Sequence, residues 1–267
     1  LLMCAISMFL LSVDSPRGDY KTLIQSGAMK KVQVTTSAKA GFTDMNAWVL
    51  CAQYAGSFGV ELTVNNFMAY YFYTKFNLSL QLSGTIAACF GLMNIFARAW
   101  GGLASDYMNK QMGMKGRLFI HMGVLFGEGV MLVIFSQMDV IGAAIPVLII
   151  FSLFTQAAEG ATFAIVPYVN PAATGSVAGV VGAGGNIGAV AWGMIFRFGV
   201  PSGLDMSDCF MIICFLVLVL SLLSPFIWLK DHDAIFCNPR RGPPQMGSIE
   251  HIEISNGADE NGVDENL

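Results

Sequence analysis

Six stretches of this chain, approximately 46–72, 84–105, 118–137, 141–168, 173–198 and 208–229, each run for twenty or more residues with almost no charge. A helix rises about 1.5 Å per residue and the hydrocarbon core of a bilayer is about 30 Å thick, so each stretch predicts a spanning helix. Strands are excluded, because an open sheet edge leaves backbone groups unpaired in lipid. Composition agrees: 55% of the 267 residues are hydrophobic and 12% are charged, about half the charged share of a soluble chain. The expected fold is therefore an all-α integral membrane protein that meets the lipid bilayer along most of its length.

The remaining segments organise around those spans. Leu1 to Val13 is apolar and stops at Asp14, with no basic residue before it, which suits the end of another span better than a signal peptide. The expected layout is a helix end at 1–13, a cytoplasmic loop at 14–44, a six-helix bundle at 45–229 and a disordered polar tail at 230–267. Eleven of the fourteen Lys and Arg residues lie on one side: Arg17, Lys21, Lys30, Lys31 and Lys39, then Lys110, Lys115 and Arg117, then Lys230, Arg240 and Arg241. The positive-inside rule places that side, and with it the C-terminus, in the cytoplasm. The six cysteines lack metal-ligand spacing, so they are expected to be reduced packing residues. No cofactor, metal or nucleic-acid partner is implied.

Within the spans, a few residues depart from plain hydrophobicity. Six glycines fall between Gly179 and Gly193. At helical spacing Gly175, Gly179, Gly182, Asn186, Ala189 and Gly193 form one stripe, expected to be a small-residue packing face. Asn186 is not explained by packing and is a candidate polar contact. GAGGNIG is not a dinucleotide loop, since Ile187 occupies the last glycine position and no strand precedes it.

Arg98 interrupts the second full span about eight residues from Asp106, or about 12 Å inside the bilayer. Asn94 and Gly102 share its face at i−4 and i+4. A guanidinium at that depth costs about 2.5–3.5 kcal/mol on insertion scales, and intramembrane ionisable groups are functional candidates by default. The alternative is a structural pair with Glu61, Glu128 or Glu159. Tyr54, Phe58, Glu61 and Asn65 form an aromatic and polar stripe on the first full span; Glu61 and Glu159 are candidate proton-titrating groups. His121 follows the cytoplasmic loop and is expected at the interface.

Four stretches, SFGVELTVNN, FGLMNIFARAWGGLASD, AAEGATFAIVPYVNP and GVVGAGGNIGAV, together resemble the nitrate/nitrite porter family of the major facilitator superfamily, over about residues 42 to 230. The resemblance implies a C-terminal six-helix bundle preceded by the end of helix six, in a protein of twelve helices and two bundles. It further implies cation-coupled uptake of nitrate or nitrite across the plasma membrane by alternating access, with H⁺ ahead of Na⁺ as the coupling cation, and leaves room for an accessory membrane protein. Arg98 matches the family's substrate arginine in this half. GAGGNIG matches its second nitrate signature, which brings Gly182, Gly184, Gly185 and Asn186 to the substrate beside Asn94, Tyr54 and Phe58. Gly102, Asp106 and Arg117 resemble the superfamily's cytoplasmic gating motif. A nitrate sensor and a carrier of another small anion are the alternatives. No arrangement of nucleophile, base and orienting group suggests an enzyme.

Overall fold

The computed structural model describes residues 2–11, 20–26, 34–229 and 234–236. These form helices α1 Leu2–Leu11, α2 Tyr20–Gln25, α3 Val34–Thr43, α4 Met45–Lys75, α5 Leu80–Leu92, α6 Ala97–Met112, α7 Met114–Ser136, α8 Ile141–Val169, α9 Thr174–Gly199 and α10 Met206–Ser221, and among the described residues there is no strand. The expected loop at 14–44 thus carries two helices, and α3 packs on α9, where Ser37 and Ser176 hydroxyls are 3.0 Å apart. The tail expected at 230–267 lies outside the described residues except at 234–236.

Among the described residues, five segments are long and apolar enough to span a bilayer: Leu80–Met112, Met114–Ser136, Ile141–Val169, Pro171–Ser202 and Met206–Phe226. The first expected span, α4, has 31 residues but is less apolar, because Gln53, Ser57, Glu61 and Thr63 all turn into the protein interior. A multi-pass membrane protein results.

One expected span is not continuous. The stretch from 84 to 105 breaks into α5 and α6 around a 3₁₀ turn at Met93–Ile95. A break strands backbone carbonyls that an unbroken helix would satisfy. Here the Phe90 carbonyl accepts from Ser152 Oγ at 2.7 Å and Gln156 Nε2 at 3.0 Å, both on α8. Polar residues of α8 therefore stabilise the interruption just before Arg98.

Other boundaries have local causes. Asp44 caps α4 by accepting from the Asn46 N–H at 2.9 Å, and Asp205 and Asp208 form a reciprocal capping box on α10. Between α6 and α7 the chain turns at Gly113 with φ +65°, a conformation side chains disfavour.

Lipid is as apolar as leucine, so close packing and hydrogen bonds hold such helices together. The tightest seam joins α4 to α9, and it corrects the expected glycine face. A Cβ on Gly184 would meet the Cys51 carbonyl, one on Gly185 the Phe58 ring, and one on Gly188 the Ala55 backbone. Gly175, Gly179, Gly182 and Gly193 have nothing within 4 Å of such a Cβ. The packed face is turned from the expected one because the large apolar residues Val177, Val181 and Trp192 share the buried side with Gly184, Gly185 and Gly188. Trp192 also donates from Nε1 to the Ala55 carbonyl at 2.7 Å.

Two apolar clusters form the core. One contains the aromatic group Tyr71, Phe72, Phe135, Phe151 and Phe210; the other gathers Leu50, Tyr54, Leu118, Ile165 and Val181. Along α4, α7 and α8 the two clusters are separated at Ser57, His121 and Glu159, so polar groups meet at mid-height.

Candidate functional site

Arg98 lies in the first turn of α6, directly after the helix break, and is the meeting point of three helices. Its Nη2 donates to Glu61 Oε2 of α4 at 3.0 Å and forms a second ion pair with Glu159 Oε2 of α8. Asn94 Nδ2 donates to the other Glu61 oxygen at 2.8 Å. The pairing weighed as the alternative to anion ligation is therefore present. Both ion pairs fall on one nitrogen, however, and the buried Nε–H has no hydrogen-bond partner among the described residues. The Arg98 side chain is 39% exposed while Glu159 is fully buried. One edge of the guanidinium fork is thus held and another is left over.

Glycine makes this approach feasible. A Cβ on Gly160 would meet the Arg98 carbonyl, and one on Gly101 would meet Ala157. Without side chains at these points α6 and α8 come together closely enough for Glu159 to reach Arg98. Neither glycine stood out in the sequence: Gly160 is single in AAEGATF, and Gly101 is overshadowed by its neighbour Gly102 of the gating motif.

Aromatic rings wall one side. The Arg98 guanidinium carbon lies 5.8 Å from the Phe58 ring centre, within cation–π range. Phe58 stacks on Tyr54 at 5.3 Å, and Tyr54 meets Phe163 edge-on at 5.2 Å. Gly185 closes against Phe58, so of the glycine signature Gly185 adjoins this cluster. Gly184 packs on Cys51 instead. Asn186 is exposed and donates to the Gly182 carbonyl at 3.3 Å, rather than to the charged cluster. Asn65, the last member of the α4 stripe, is also exposed.

Arg117 forms an ion pair with Asp106 at 2.7 Å and stacks over Tyr168 at 5.1 Å. Gly102 is half-buried one turn above Asp106, so this group bridges α6, α7 and α8 at the end of the bundle away from Lys75.

Two buried groups depart from sequence expectation. His121 is not interfacial but fully buried, because α7 begins at Met114 and carries it two turns inward. Gln53 Nε2 donates to Ser224 Oγ at 2.8 Å, Ser224 Oγ lies 3.2 Å from His121 Nδ1, and His121 Nε2 lies 3.1 Å from Thr162 Oγ1. Thr162 passes its hydrogen to the Ala158 carbonyl at 2.8 Å, so the chain runs in one direction with Nε2 as the donor. Glu128, seven residues along the same face of α7, is fully buried with neither oxygen hydrogen-bonded. The i, i+7 spacing of His121 and Glu128 was the available signal. Among the described residues no cluster suited to a metal ion occurs.

Fold and site together define a class: a helical, multi-span membrane protein with a guanidinium–carboxylate centre between its helices. No family model matches the chain. It is 37% identical over 89% of its length to a protein named high affinity nitrate transporter 2.5 of Arabidopsis thaliana, covering 47% of that relative. It is likewise 37% identical over 90% of its length to nitrate transporter 2.2 of Chlamydomonas reinhardtii, covering 48%. To high-affinity nitrate transporter 2.3 of Oryza sativa it is 36% identical over 89%, covering 46%. The chain is thus similar to these proteins over about nine-tenths of its own length, and it spans about half the length of the curated relatives it matches.

Proposed function

We propose that this chain is the C-terminal half of a transporter that imports nitrate, or nitrite, with a coupling cation, and that Arg98 is this half's ligand for the anion. The observation that carries the reading is the Nε edge of Arg98, buried and without a partner, at a helix break beside the Phe58 ring. A planar anion needs donors in one plane, which a guanidinium offers and an ammonium does not. The carboxylates of Glu61 and Glu159 keep that charge from being an overly strong trap.

Coupling follows from the same geometry. Uptake of an anion against an inside-negative potential requires an accompanying cation, since each charge moved is worth about 2.3 kcal/mol per 100 mV. A proton arriving on a carboxyl next to Arg98 weakens that carboxyl's hold and releases field for the anion. Glu61 and Glu159, in contact with Arg98, and the nearby Glu128 are the candidate carboxyls, and a proton suits the site better than Na⁺, which needs several oxygen ligands around one point. The open glycine face of α9 with Gly182 and Asn186 is then a surface for the other half. The Arg117–Asp106 pair acts as the cytoplasmic latch, and residues 14–44 link the halves on that side of the plasma membrane. An accessory membrane protein remains compatible with the exposed apolar surface.

Labelled nitrate flux into liposomes holding the full-length protein tests this reading. The expected result is uptake driven by an inward proton gradient and competed by nitrite. Nitrate binding without flux points to a sensor, and flux of other anions unaffected by excess nitrate overturns the substrate.

A further inference from the structure

The carboxyl that the ion-pair network leaves out is Glu128. It is fully exposed to the protein interior and not at all to solvent, and neither oxygen has a hydrogen-bond partner among the described residues. The Thr155 hydroxyl of α8 is the polar group that adjoins Glu128, while its hydrogen goes to the Phe151 carbonyl at 3.1 Å. An ionised carboxylate in such a place is expensive unless paired. The one guanidinium close by is already shared by Glu61 and Glu159. Two carboxyls thus share the cation, and the third, coupled to it only through Glu61 and Glu159, has none of its own.

Its surroundings on every packed element are consistent. Glu61 on α4 and Glu159 on α8 lie within electrostatic reach of Glu128, with Arg98 of α6 beyond them. On α10 the side chain facing the next residue, Gly129, is Leu218. On α7 itself, His121 sits seven residues away with both ring nitrogens hydrogen-bonded. No basic group among these faces Glu128. Thr155 lies one turn from Glu159 toward the α7–α8 turn, so Glu128 is set about one turn farther than the Arg98 pairs from the Arg117–Asp106 end.

We propose that Glu128 is the carboxyl that takes up and releases the coupling proton, while Glu61 and Glu159 serve chiefly as the counter-charges of Arg98. The inference rests on the reading of the chain as part of a cation-coupled anion transporter. An O–H bond forms on one Glu128 oxygen with a proton from the outer solution, and the same bond breaks when the proton leaves toward the cytoplasm. No co-reactant is required. With Glu128 neutral, the negative potential around Glu61 and Glu159 falls and Arg98 attracts the anion more strongly. With Glu128 charged, the anion is repelled, which links the two ligands through one field.

The test uses the full-length protein and its Glu128→Gln variant, close in shape and unable to ionise. In proteoliposomes, nitrate–nitrate exchange across a pH-matched membrane should persist and half-saturate at lower nitrate than in wild type, while accumulation driven by a proton gradient should fall at least about tenfold. Alkalinisation of the outer medium on nitrate addition should vanish. Unchanged gradient-driven accumulation overturns the proposal, and so does loss of exchange together with accumulation, since Glu128 is then structural. Infrared difference spectra between acid and neutral pH, taken without nitrate, give an independent readout. A carboxyl C=O band present in wild type and missing in Glu128→Gln supports the site; an identical spectrum overturns it. Wild-type protein that shows this band yet carries no nitrate refutes the transport reading and leaves the proton site standing.

Discussion

Two polar clusters sit in this bundle about one helical turn apart on α8, and they are built on opposite plans. Around His121 a hydrogen bond answers each donor in the chain from Gln53 through Ser224 and Thr162 to the Ala158 carbonyl. Around Arg98 the accounts do not close: two carboxylates crowd one nitrogen, Nε has no partner, and Glu128 stands unpaired. Gln53 Oε1 is the one acceptor of this chain without a partner; a buried network whose donors are all answered still favours one packing and resists change. An incompletely satisfied one is open to whatever completes it, in our proposal an anion on the guanidinium and a proton on a carboxyl. The difference separates a structural pin from a working site more clearly than burial does, since both are buried.

The comparison can be broken most decisively at Arg98. Arg98→Ala in the full-length protein should lower nitrate uptake by about 100-fold or more, since anion attraction and the counter-charge for two carboxylates vanish together. Arg98→Gln combined with Glu159→Gln should restore membrane expression but not uptake. Recovery of wild-type uptake in that double variant would show that the arginine is only a structural partner. Next in size is the glycine face. Gly185→Leu should abolish uptake, because its side chain would enter the Phe58 ring, whereas Gly182→Leu should leave folding intact, as its position is open; fluorescence-detected gel filtration of both variants reads this difference.

The satisfied cluster makes the reverse prediction. His121→Ala should cost about 1–3 kcal/mol, the usual penalty for unpairing buried polar groups, seen as a lower unfolding temperature in detergent. The ratio of protons to nitrate should not move. A changed ratio would place His121 on the proton route and erase the contrast between the clusters. Smallest of all is the effect at the far end, where Lys75 pairs with Asp139 at 3.3 Å but Asp139 is 87% exposed. Exposed pairs contribute little, so Asp139→Asn should shift neither unfolding temperature nor uptake measurably.

Much was readable from residue order alone. The helical class, the position of five apolar spans and the singular depth of Arg98 follow from hydropathy and helix rise, which depend on neighbours in sequence. The spacing of Asn94 and Arg98 was likewise local. What sequence could not determine depended on which helix lies against which. The stripe of Gly175, Gly179, Gly182 and Gly193 and the face of Gly184 and Gly188 are equally rich in glycine, and only the position of α4 decides which is packed. His121 read as interfacial because a loop preceded it, and only α8 and the Ser224 turn bury it. The partners of Arg98 were named as three glutamates of equal standing. Tertiary packing gave it two, through the close approach at Gly101 and Gly160, and left Glu128 alone. Charges far apart in sequence interact through distance in space, and that distance is set by helix packing, not by the order of residues along any one helix.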